Sequence, residues 1–97
     1  MAEYARVVSF EAYDAAIDAV VEEIRSADGA PPGVAAKRIT VLADRTTGTL
    51  VIATRYASEE DLQAAAAVFE AMTPPDAGSM RRTSVSAYEV VLERDAS

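Results

Sequence analysis

Four side chains in this sequence pair a chemically useful group with a place on an alternating segment: Arg6, Thr54, Tyr56 and Tyr88. A guanidinium carries five N–H donors in a planar fork and stays charged, so Arg6 in mid-strand could hold an enolate or a carboxylate. A phenol can donate to a substrate oxygen and, with a depressed pKa, can pass a proton; Tyr56 and Tyr88 fit that role. Thr54 stands two residues from Tyr56, on the same face of a strand, and could share a pocket with it. Each also has an ordinary explanation. A strand Arg pairs with an acid, Glu89 or Glu93 here, or snorkels to water. A strand Tyr packs its ring and leaves its hydroxyl at a rim. Thr favours strands by itself. The four are ligand-pocket candidates, and no residue among them declares itself catalytic.

What is missing narrows the chemistry further. The chain has no Cys and no His. Without Cys there is no disulfide, thiolate metal site or thiol nucleophile. Without His the commonest general base, the usual haem ligand and the commonest zinc ligand are gone. The acids fall on helix faces with no spacing that suggests a metal cage, so neither a metal nor a cofactor is expected. Arg38 and Arg55 read as solvated or paired with surface acids. Arg81-Arg82-Thr83-Ser84 has a basophilic phosphorylation pattern, short enough to arise by chance.

The formal net charge is −7, which would repel phosphate backbones and anionic lipid heads. No basic segment followed by a long apolar run opens the chain, and no apolar run reaches the roughly 18 residues of a membrane span. A cytoplasmic location is the expectation. Ninety-seven residues suit one domain spanning 1–97. Half of them are apolar, at 51%, a surplus that pairing with a second copy would absorb.

These candidates need elements to hold them. Tyr4-Ala-Arg-Val-Val-Ser-Phe10 alternates as a strand with apolar residues on both sides. Asp14 is placed to cap a helix on which Ile17, Val20, Val21 and Ile24 recur at helical spacing. Ala27 to Gly33, with Gly29 and two prolines, ends it. Val34 to Ala43 and Thr49 to Tyr56 read as strands joined by the hairpin loop Asp44-Arg-Thr-Thr-Gly48, with Gly48 suited to positive φ. Ser58-Glu-Glu-Asp61 starts a second helix, whose stripe is Leu62, Ala65, Ala66, Phe69 and Met72. Pro74 and Pro75 stop it, and Thr83 to Leu92 is the last strand.

The order is β-α-β-β-α-β: an α+β, ferredoxin-like plait with a four-stranded antiparallel sheet and two helices on one face. Ala-rich helix stripes suggest a floor of small aliphatics, which assigns Ala5, Val7, Val51, Ala53, Val85 and Ala87 to the helix side. The open face would then carry Tyr4, Arg6, Val8, Phe10, Leu50, Ile52, Thr54, Tyr56, Ser84, Ser86, Tyr88 and Val90. So large an apolar face calls for cover, most simply by a second copy stacked sheet to sheet.

Tyr4 to Phe10, Thr40-Val-Leu-Ala-Asp-Arg-Thr-Thr-Gly48 and Thr54-Arg-Tyr-Ala-Ser-Glu-Glu-Asp-Leu62 resemble the dimeric α+β barrel proteins. Among these the chain is most similar to the antibiotic-biosynthesis-monooxygenase-like group, over nearly its whole length. The resemblance implies a homodimer with a cavity at each sheet, able to bind a small apolar or aromatic molecule. In oxygenase members a Trp ends the third strand and an Asn precedes it by four residues; those positions here are Tyr56 and Ile52. Haem-degrading members use a His and a Trp, and this sequence has neither. What the resemblance leaves is cofactor-independent oxygenation of an aromatic or polyketide-like substrate that supplies its own carbanion. The rival expectation is a non-catalytic dimerisation module.

Overall fold

The structure is a computed structural model describing residues 2–27, 29–71 and 80–96. The elements run β1 (Glu3–Ala12), α1 (Asp14–Ser26), β2 (Ala36–Asp44), β3 (Thr49–Tyr56), α2 (Glu59–Ala71) and β4 (Met80–Val90). The sheet has four antiparallel strands in the order β2-β3-β1-β4. This is the ferredoxin-like plait that the order of periodic segments predicts. The expected contact of Met72, the stop at Pro74 and Pro75, and the first part of the loop before β4 lie outside the described residues.

Local chemistry explains most boundaries. The Asp44 carboxylate accepts from the N–H groups of Thr46 and Thr47, at 3.0 and 3.2 Å, which folds the β2–β3 loop on itself. Gly48 closes that loop at φ 73°, a left-handed conformation that glycine adopts without a Cβ clash. Ser58 caps α2 by accepting from the Asp61 N–H at 3.1 Å. The start of α1 differs from expectation. Tyr13, in extended backbone, precedes the helix without a side-chain cap bond, and Asp14 is the first helical residue. Arg45 claims its carboxylate instead, bridging Asp14 at 2.8 Å and Asp18 at 2.7 Å. That pair of contacts ties the hairpin to α1.

β4 begins three residues before the expected Thr83 and ends at Val90, leaving Val91 and Leu92 outside the strand and exposed. A bulge between Ser9 and Phe10 shifts the β1–β4 register: Ser9 pairs with Ser84 but Phe10 with Arg82. Thr83 is the extra residue that changes which β4 side chains face the helices.

The larger correction concerns the faces of the sheet. The helices cover Tyr4, Arg6, Val8 and Phe10 of β1 and Leu50, Ile52, Thr54 and Tyr56 of β3, the set expected on the open side. Leu50 joins Ala12, Ala16, Ile17 and Met80 in one buried cluster beneath α1. Tyr56 joins Leu62 and Ala65 in a second beneath α2. The reason is volume. An Ala-rich helix leaves depth above the sheet that small aliphatics would leave empty, and Tyr56 and Leu50 fill it. Both are completely buried. The open face therefore carries Ala5, Val7, Val51 and Ala53. By register Arg38, Thr40 and Leu42 of β2 and Ser84, Ser86 and Tyr88 of β4 join them.

Candidate functional site

The two apolar clusters do not merge. Between them the helix-side face carries the two buried polar side chains of the described residues, Arg6 and Thr54. They are direct partners across β1 and β3, and their row continues to Ile39 on β2 and Ala87 on β4. Tyr56, one pleat along from Thr54, turns its hydroxyl back to within 2.8 Å of Thr54 Oγ1. Either oxygen can donate in that bond. Thr54 Oγ1 also lies 3.5 Å from the Arg6 carbonyl, its weaker contact. The hydroxyl pair is thus a self-satisfied polar seam inside an apolar layer.

Arg6 looks the other way, toward α2. Its guanidinium carbon stands 5.0 Å from the centroid of the Phe69 ring, within the range where a cation gains from the ring face. One Nη lies 3.4 Å from Glu70 Oε1, although the Arg6 side chain is only 8% exposed. Glu70 is half-exposed and sits closer to Arg82 of β4, at 3.0 Å. The Arg82 guanidinium, and after it Arg6, holds the Glu70 carboxyl below the ordinary carboxylate value.

β4 leaves a way in. Val85 pairs with the buried Val8 and Ala87 with Arg6, so both belong to the helix side. Yet Val85 is 41% exposed and Ala87 is exposed as well, so this stretch of the edge strand is left uncovered. Val85 and Ala87 form an exposed apolar ledge in the cross-strand rows of Val8 and Arg6, and the Glu70–Arg82 pair joins α2 to β4 farther along the strand.

Three of the four residues singled out in the sequence come together here: Arg6, Thr54 and Tyr56. Tyr88 does not. It pairs with Ala5 and lies on the opposite face of the sheet, 56% exposed. The Arg6 partner is Glu70 on α2, not Glu89 or Glu93. Glu93 instead takes Arg55, at 2.8 Å, and Glu3 binds the same guanidinium at 3.0 Å. Glu70 and Arg82 were not legible as site residues, since one reads as a solvated helix acid and the other as part of a chance motif. A signal did exist for Glu70. It follows Leu62 by eight residues and Ala66 by four, on the margin of the apolar stripe.

A separate open cleft of about 270 Å³ lies at the N-terminal end of α2, lined by Ala2, Tyr4, Ala57, Ser58 and Glu59. None of the four candidates lines it.

No protein family matches the sequence, and no curated protein matches it. The chain is similar to the structure of Rv0793 from Mycobacterium tuberculosis, at 20% identity and a TM-score of 0.32, covering 97% of this chain and 99% of that one.

Proposed function

We propose that this protein is a cytoplasmic homodimer of the antibiotic-biosynthesis-monooxygenase-like kind, pairing through its open sheet face and binding a small apolar or aromatic molecule on the helix side. The observation that supports binding is Arg6, a buried guanidinium whose cross-strand neighbour on β4, Ala87, is uncovered. A buried charge is costly unless it is well paired, and its contact with Glu70 is long, at 3.4 Å. Thr54 and Tyr56 back the site from within rather than facing a ligand. The open face supports pairing. Val7, Ala53, Val51 and Leu42 form an apolar patch, with Leu42 more than half exposed; Tyr88, also more than half exposed, stands at one end of it in the row of Ala5, Arg55 and Arg38, next to Glu3.

The reaction that such a site would carry is cofactor-independent oxygenation. A phenol or anthrone gives up a proton to form a carbanion. Arg6 would stabilise the conjugate oxyanion. Dioxygen adds to the carbanion, and loss of water from the hydroperoxide leaves a ketone. One oxygen atom enters the product and the other leaves as water, so no external reductant is consumed.

The alternative reading is a non-catalytic binding or dimerisation module. The position of Tyr88 on the far face favours it, because no second phenol joins Arg6.

Native mass spectrometry beside a denatured control separates the two. A dimer carrying a few hundred daltons of extra mass, whose released compound consumes oxygen in the presence of the protein, supports the oxygenase. A dimer that takes up no quinone or phenol supports the module, and a monomer overturns the pairing.

A further inference from the structure

We propose that Glu70 is a built-in competitor for the anion site of Arg6: its carboxylate rests where the delocalised anion of a ligand would bind, and Arg82 draws it away when the ligand arrives. The inference rests on the ligand-binding reading of the helix side and adds the ligand class, a flat aromatic molecule bearing a carboxylate or enolate. Three observations carry it. First, the Arg6–Glu70 contact is long, 3.4 Å, for a side chain almost wholly shielded from water. Charge-assisted pairs close to about 2.8 Å when nothing restrains them. Second, Glu70 has a shorter contact with Arg82, at 3.0 Å, so letting go of Arg6 does not leave its charge unmet. Third, the β4 residues in the rows of Arg6 and Val8, Ala87 and Val85, are apolar and uncovered, a surface on which a flat ring could lie. The Phe69 ring lies against the guanidinium from the α2 side.

The arrangement discriminates by charge. A neutral aromatic gains the ledge but cannot replace Glu70 at Arg6. An anionic one gains both, less the modest cost of displacing a half-exposed carboxylate. The two arginines, not Arg6 alone, set the affinity.

Naphthoate and its neutral counterpart naphthylmethanol test this by fluorescence titration. Glu70→Gln is expected to tighten naphthoate by about 2- to 5-fold. Arg82→Gln, which leaves Glu70 to Arg6 alone, is expected to weaken it by a similar factor, and to lose that effect in the Glu70→Gln background. Naphthylmethanol should respond to neither change. Arg6→Met should cost naphthoate about 10-fold or more; circular dichroism checks that this variant folds, and the Glu70 and Arg82 variants decide the matter without it. Naphthylmethanol binding with naphthoate indifferent to Glu70→Gln overturns the competitor and leaves the pocket standing. Failure of every variant to bind either probe overturns the pocket as well.

Discussion

Tyr13 lays its ring against the Cα of Gly48, so that a Cβ added there would run into the ring at Cε1 and Cζ. The contact joins the residue before α1 to the residue before β3. The backbone repeats the link, since the Ala12 N–H donates to the Gly48 carbonyl at 2.8 Å. Gly48→Ala faces two obstacles, the ring and a φ of 73°. They separate by experiment. Tyr13 is 63% exposed and can swing outward, whereas φ has no such escape. Gly48→Ala should cost about 1–2 kcal/mol in urea unfolding, and most of that should persist in a Tyr13→Ala background. A cost that vanishes there would place the strain in the ring contact instead.

The buried hydroxyl pair makes a second test. Thr54 and Tyr56 satisfy each other at 2.8 Å with no exposure at Tyr56. Thr54→Val orphans the phenol and should destabilise the fold by about 1–2 kcal/mol. Adding Tyr56→Phe removes the orphan, so the double variant should lose clearly less than the sum of the two single changes. Strict additivity would mean that the two oxygens are not partners.

Acid should weaken the fold through three carboxylates. Glu3 is held below the ordinary value of 4.5 by hydrogen bonds from Lys37 and then Arg55, Glu70 chiefly by Arg82, and Glu93 chiefly by Arg55. A folded-state pKa below the unfolded one lends stability that is complete above the unfolded value and fades as pH falls through the folded one. Arg55 is shifted upward by the same pairs and stays charged throughout. Urea midpoints from about pH 7 to about pH 3 should therefore fall. The gap between the native protein and Arg55→Gln should narrow over the same interval. A gap that is constant with pH would show that the Arg55 pairs contribute nothing.

Val51 lies near the middle of the open face, with Leu42 and Ser9 as its cross-strand partners. If that face joins two copies, Val51→Arg buries two unpaired cations across the interface. Sedimentation should then show a folded monomer where the native protein is a dimer. An unchanged mass would move the interface elsewhere.

Much of this arrangement was written in the chain. The β-α-β-β-α-β order follows from the change of hydrophobic period between segments, a property of neighbouring residues. The turn at Asp44–Gly48 and the cap at Ser58 follow from side chains that bond their own backbone within three residues. Arg6, Thr54 and Tyr56 share a face because alternation on β1 and β3 requires it once the strands pair.

Which face met the helices was not so determined. Both faces of β1 and β3 carry apolar residues, so local pattern leaves the choice open, and only the volume beneath the Ala-rich α2 selects the side with Tyr56. The side taken by Tyr88 depended on the β1–β4 register, which sets it opposite Ala5, a pairing between residues more than 70 positions apart. Glu70 became the partner of Arg6 by the same route. A charge on the margin of a helix stripe acquires a role only when packing of the helix on the sheet brings a buried charge to meet it.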